Sequence, residues 1–150
     1  MILLFDIDYT LFDTAAFKES GLTSYNLYPE VKNILESLCK SYTLGILSQG
    51  ETDFQMKKLT ETEILELFDK NHIFIIPDKL QALSGIMGKL SHEDVLFVDD
   101  KLEMLEEAKK LDPKLKTVWV KNGPFAKSTQ CTFTPDKTIP FLSELPSALE

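Results

Sequence analysis

The sequence contains no arginine: all 16 basic residues are lysine, against 24 acidic ones, for a net charge of −8. Without guanidinium forks it has no bidentate grip on phosphate or guanine. An acidic surface also repels a polyanion, so nucleic acid is not an expected partner. Cysteine is scarce as well. Cys39 and Cys131 have neither metal-site spacing nor a disulfide framework and read as two reduced thiols. Long apolar runs are missing: the longest, such as residues 73–76 and 95–98, are strand-sized and far below the ~20 residues of a membrane span. The opening Met1-Ile2-Leu3-Leu4-Phe5 runs straight into Asp6 and Asp8, without the basic leader and cleavage site of a signal peptide. A cytoplasmic protein without membrane attachment is the expectation.

What is present is the composition of an ordinary folded domain, 43% hydrophobic and 27% charged, in 150 residues. That length supports one core and one domain. Short apolar runs recur at residues 2–5, 43–47, 73–76, 95–98 and 117–120 and read as buried strands. Between them lie apolar stripes at helical spacing: Val31, Ile34, Leu35 and Leu38; Leu80, Leu83, Met87 and Leu90; Leu102, Leu105 and Ala108. Pro29 fits the first turn of the first helix. Residues 50–70 read as helical with a solvated acidic face from Glu61, Glu63 and Glu66. The proline-punctuated tail, residues 123–150, reads as a loop-rich closing segment with a short helix at 141–145. Strands alternating with helices predict an α/β fold: a three-layer, doubly wound, Rossmann-like and mainly parallel sheet of about five strands.

In such a sheet ligands collect beyond the carboxyl ends of the strands. The first run is followed by Asp6-Ile7-Asp8-Tyr9-Thr10, the second by Ser48-Gln49-Gly50, the third by Pro77-Asp78-Lys79 and the fourth by Asp99-Asp100. Carboxylates gathered on one rim repel one another unless a counter-charge is bound. A hard divalent cation with oxygen ligands, Mg²⁺ above all, resolves the conflict. It would leave Asp6 free to attack phosphorus, with Asp8 placed to move the proton. Lys79 and Ser48 would hold the phosphoryl oxygens.

The run Leu3-Leu4-Phe5-Asp6-Ile7-Asp8-Tyr9-Thr10-Leu11 resembles the first motif of the haloacid dehalogenase (HAD) superfamily, an apolar strand followed by DxDxT. Leu44-Gly45-Ile46-Leu47-Ser48 is similar to the second, Lys79 to the third, and Val95-Leu96-Phe97-Val98-Asp99-Asp100 to the fourth, all in the family's order. The resemblance implies a HAD-like fold and a phosphomonoester hydrolase working through a phospho-aspartate on Asp6, with Asp8 as general acid and base. It also implies Mg²⁺ held by Asp6, the backbone carbonyl of Asp8 and Asp100, with Asp99 a ligand or a neighbour that holds one. Thr10, Ser48, Gln49 and Lys79 are the expected phosphate-binding residues. Retention of Asp8 separates phosphatases from dehalogenases, which attack carbon and do not keep that acid.

The chain departs from the family pattern in three places. Met104 stands where many members have an acid or Asn, with Glu103 beside it as either a stand-in or a solvated helix residue; Tyr9 replaces a common Gly; Lys79 lacks the proline that often follows it. Neither gap between motifs holds a cap domain, which would need at least ~40 to 50 residues to bury a core. Residues 15–28, with Phe17, Leu22, Tyr25 and Leu27, are the remnant or simply core. An open site is expected to take a large phosphorylated substrate, such as a protein or glycan, or to borrow a lid from another subunit. The rival reading from another class is a HAD-like domain that has lost turnover and serves as a binding or regulatory module. A response-regulator receiver is excluded, because only 50 residues follow Asp100. His72 and His92 follow no strand exit and are given no role.

Overall fold

A computed structural model describes residues 1–127 and 130–150. Six parallel strands form one sheet: β1 (Ile2–Phe5), β2 (Thr43–Gln49), β3 (Ile73–Ile76), β4 (Val95–Asp99), β5 (Lys116–Val120) and β6 (Lys137–Ile139), in the spatial order β3-β2-β1-β4-β5-β6. The connections are α1 (Thr14–Glu19) and α2 (Val31–Leu38) before β2, α3 (Thr52–Glu61) before β3, α4 (Lys79–Lys89) before β4 and α5 (Leu102–Leu111) before β5; α6 (Leu145–Ala148) closes the chain. The order reverses between β1 and β4, the switch point at which a doubly wound sheet opens a crevice.

Side-chain alternation along the strands sorts the core onto the two faces of the sheet. Leu3, Phe5, Ile46 and Val98 pack with Val31 and Leu35 of α2, Leu59 of α3 and Leu145 of α6. Ile2, Leu4, Phe97 and Trp119 pack with Leu83 and Met87 of α4 and with Leu105 and Ala108 of α5. Helices therefore cover both faces, giving three layers. All four residues of β1 are buried, as a central parallel strand requires. Among the described residues no helix is long and apolar enough to cross a membrane.

Several sequence expectations are adjusted. The sixth strand, Lys137–Ile139, lies in the tail expected to be loop; only Ile139 of it is buried, so its apolar signal is too short to register. Leu80 is exposed, and the buried stripe of α4 runs through Leu83, Ile86 and Met87 instead. Pro29 precedes the helix start, because Glu30 takes a left-handed conformation (φ 69°) as N-cap. The helix expected over residues 50–70 stops at Glu61, where Glu63 turns left-handed (φ 59°), and the chain continues in short 3-10 turns.

Gly45 marks where β2 is crowded from both sides. A Cβ there would lie 2.8 Å from the His72 carbonyl oxygen and 2.8 Å from Leu4 Cδ2, and the backbone carbonyl cannot rotate away. Gly45→Ala is expected to destabilise the fold by about 1–3 kcal/mol, the usual cost of overpacking. A thermal or urea unfolding curve checks this, and an unchanged midpoint contradicts it.

Candidate active site

The register of the sheet assembles the site. Phe5 pairs with Ile46 on one side and with Val98 on the other, so β1 and β4 deliver Asp6 and Asp99 at the same level. Asp6, Asp99 and Asp100 are all buried, and each offers an oxygen within 4.8 Å of the others. Lys79, the first residue of α4, reaches back into this group with its Nζ 3.1 Å from Asp6 Oδ1 and 2.6 Å from Asp99 Oδ2. Asp99 uses its other oxygen to accept the Lys101 amide at the start of α5 (2.8 Å). Both Asp99 oxygens are thus engaged by donors. Asp100 is different: both of its buried oxygens lack a hydrogen-bond donor, although Trp119 Nε1 anchors its backbone carbonyl at 2.9 Å.

Asp8 faces the same space and is held from the other side. Lys58 Nζ lies 2.7 Å from Asp8 Oδ1, Thr14 Oγ1 donates to Oδ1 at 2.9 Å, and Gln55 Nε2 donates to Oδ2 at 3.0 Å. Gln55 Nε2 also donates to Ser48 Oγ at 2.8 Å, tying the end of β2 to Asp8. Lys58 is only 3% exposed, and its ammonium sits among the rings of Phe12, Phe17 and Phe54 at 4.7–5.5 Å from their centroids.

All eight residues expected from the strand ends are brought together, in two ranks. Asp6, Asp8, Gln49, Lys79 and Asp100 line a cleft of about 410 Å³. Ser48, Thr10 and Asp99 stand behind it, buried. The Thr10 hydroxyl is 3.5 Å from Asp6 Oδ2, a long contact. The Gln49 side-chain oxygen accepts the Lys79 amide at 3.0 Å and so caps α4. Met104 lines the cleft, whereas Glu103 is exposed and outside the acid cluster. Sequence reasoning missed Thr14, Gln55 and Lys58. Gln55 and Lys58 were legible only as polar residues three apart on the face of α3 that also carries Leu59.

Four carboxylates thus meet two buried ammonium groups. Burial pushes the Asp6 carboxyl up to about 6, with Lys79 opposing and the charges of Asp99 and Asp8 adding to the rise. Burial, reinforced by the charges of Asp6 and Asp99, pushes Asp100 to about 10. Burial pulls Lys79 down, but Asp6 and Asp99 outweigh it and hold its ammonium above the ordinary range. A buried carboxylate with no donor needs a proton or a cation. The orphaned Asp100 oxygens beside Asp6 fit a hard divalent cation with oxygen ligands.

Solved structures place the fold. A haloacid dehalogenase-like hydrolase from Burkholderia xenovorans superposes with a TM-score of 0.80 at 21% identity, covering 97% of this chain and 94% of that one. A HAD-type hydrolase from Bacillus subtilis bound to magnesium gives 0.79 at 16% identity over 99% and 98% of the two chains. An L-2-haloacid dehalogenase from Xanthobacter autotrophicus with chloropropionic acid covalently bound gives 0.70 at 15% identity over 99% and 97%. No family model matches the sequence, and no curated protein matches it. The chain therefore has the fold of the haloacid dehalogenase-like hydrolases.

With metal removed, Asp6 and Asp100 keep protons in the folded state that the unfolded chain has lost near pH 4. The folded state then binds more protons than the unfolded one between about pH 4 and the raised values, so stability falls as pH rises. In EDTA the thermal midpoint is expected to fall from pH 5 to pH 9, with Asp100 alone contributing up to about 1.4 kcal/mol per pH unit. Asp100→Asn should flatten the slope. A wild-type slope unchanged by that substitution contradicts the assignment.

Proposed function

We propose that this chain is a Mg²⁺-dependent phosphomonoester hydrolase that works through a phospho-aspartate on Asp6. The observation that carries the reading is Asp8: two residues beyond Asp6, it faces the cleft and is gripped by Lys58, Thr14 and Gln55. A hydrolase attacking carbon has no use for an acid built in with that care, whereas phosphoryl transfer from an ester oxygen to Asp6 needs one to protonate the oxygen that leaves.

In the first half-reaction an Asp6 oxygen bonds to phosphorus while the bond to the ester oxygen breaks, and Asp8 gives that oxygen its proton. In the second, water attacks phosphorus, Asp8 takes the water's proton, and the bond from phosphorus to Asp6 breaks to release phosphate. Lys79 sits against Asp6 and steadies charge on the transferring phosphoryl group. Asp99 keeps Lys79 aimed there. Gln55, which donates to both Ser48 and Asp8, ties the acid to the end of β2 and so steadies it. Asp6, Asp100 and the Asp8 backbone carbonyl would hold Mg²⁺, which would supply the positive charge that lets an ionised Asp6 meet a phosphate dianion.

The segment between β1 and α2 stands in for a cap, and the free thiols Cys39 and Cys131 agree with a reducing, cytoplasmic setting. Met104 in place of an acid favours one alternative, a domain that binds phosphorylated groups without turning them over.

A panel of phosphomonoesters assayed with Mg²⁺ separates these readings. Phosphate release is expected with the wild type and a loss of at least about 10³-fold in Asp6→Asn, since removal of a nucleophile removes the covalent route. Halide release from 2-chloropropionate is expected to be absent. Phosphate binding without turnover across the panel favours the binding module, and Asp6-dependent halide release contradicts the reading outright.

A further inference from the structure

Beyond the acid cluster the cleft continues over a second, apolar surface made by Tyr9, Phe17, Leu22, Phe54, Met104 and Phe125. Phe54 lies in the helix after β2 and Phe125 in the 3-10 turn after β5, strands on opposite sides of β1. The two aromatic groups therefore flank the position of Asp6. Each is a packed unit: Tyr9 and Phe125 meet edge to face at 6.4 Å, Phe17 and Phe54 at 5.9 Å. Lys101 lies over the Phe125 ring at 4.8 Å, and Lys18 Nζ is 3.3 Å from the Tyr9 hydroxyl.

Two features mark this surface as more than leftover core. Leu22, Phe54 and Phe125 are 52%, 41% and 36% exposed, three of the seven large apolar side chains left exposed among the described residues, and all three meet at this one cleft. Convergent exposed apolar surface marks a binding region. The backbone is also strained to build it. Tyr9 (φ 61°) and Leu22 (φ 66°) both occupy the left-handed region that L-residues avoid. A Cβ on Gly123 would lie 2.5 Å from Tyr9 Cδ1, so the ring rests directly on that glycine. Strain at Leu22 is not repaid by packing within the chain, since the side chain stays half exposed.

Resting on the phosphatase reading above, we infer that this surface is the leaving-group subsite for a compact phosphomonoester whose alcohol portion carries an apolar ring. The phosphoryl group would sit at Asp6 and the ring between the Tyr9–Phe125 and Phe17–Phe54 pairs. The roughly 410 Å³ of the cleft lies in the range of small-molecule sites and suits a single-ring or fused-ring ester. On this inference the cleft would take a small molecule, in place of the phosphoprotein or glycan expected from the sequence.

Phosphonates test this without turnover. Benzylphosphonate and methylphosphonate are titrated calorimetrically into the Mg²⁺-loaded protein. Benzylphosphonate is expected to bind at least about tenfold more tightly, the discrimination a modest apolar contact supplies. The ratio should fall below about threefold in Leu22→Gly, which keeps the left-handed backbone, and in Phe54→Ser at an exposed helix position. Circular dichroism verifies that both variants fold. Equal affinities in the wild type, or a ratio that neither variant changes, overturn the subsite while leaving the phosphatase reading standing. Failure of both phosphonates to bind overturns that reading and this inference with it. A peptide bearing phosphonomethyl-phenylalanine that binds more than tenfold better than benzylphosphonate overturns the compact substrate.

Discussion

The structure is organised around an uncompensated charge. Asp6, Asp8, Asp99 and Asp100 converge at the switch point of the sheet, and the protein supplies two buried ammonium groups, Lys58 and Lys79, to meet them. Lys79 serves Asp6 and Asp99, Lys58 serves Asp8, and Asp100 is left with no donor at all. In a low-dielectric setting that shortfall cannot persist as bare charge. Either protons fill it, as the raised Asp6 and Asp100 carboxyls indicate, or a divalent cation does.

The fold makes this concentration of charge tolerable by fixing each group through backbone elements. Parallel register places Asp6 and Asp99 at the same height, the start of α4 presents Lys79 from across the crevice, and Trp119 locks the Asp100 backbone from β5. Asp8 is positioned by a different layer, through Gln55 and Lys58 of α3 and Thr14 of α1. Asp6 and Asp8, two residues apart, are thereby held by separate supports. The apolar walls of the cleft are carried mainly by loops and helix starts, the parts of a doubly wound fold freest to vary.

The strand ends were readable from the sequence because each buried run ends in a chemically distinctive residue. Asp6, Ser48 and Asp99 follow directly from that pattern, and Lys79 and Asp100 from the residues beside it. The helices α2 and α5 were readable from their apolar stripes. Lys58 and Gln55 were hidden, because a lysine and a glutamine on a helix read as solvent-facing until tertiary packing buries them beside Asp8. Thr14 was hidden for a similar reason, being one hydroxyl at the start of a six-residue helix. β6 escaped because an edge strand of three residues with one buried side chain has no periodicity to detect. Leu80 misled in the other direction: its spacing fits the stripe of α4, yet Ile86 takes the buried position. Tyr9, noted only as a departure from a common glycine, proves to hold a left-handed backbone and to form a wall of the cleft.

Direct measurement of cation binding decides whether the charge deficit is real. Calorimetric titration of Mg²⁺ into the metal-free protein at pH 7.5 should show one site, accompanied by proton release as the raised carboxyls ionise. Asp100→Asn should lose at least about tenfold in affinity and most of the released protons. Equal Mg²⁺ affinity and equal proton release in wild type and variant would show that Asp100 holds no cation and that the acids settle their repulsion by other means.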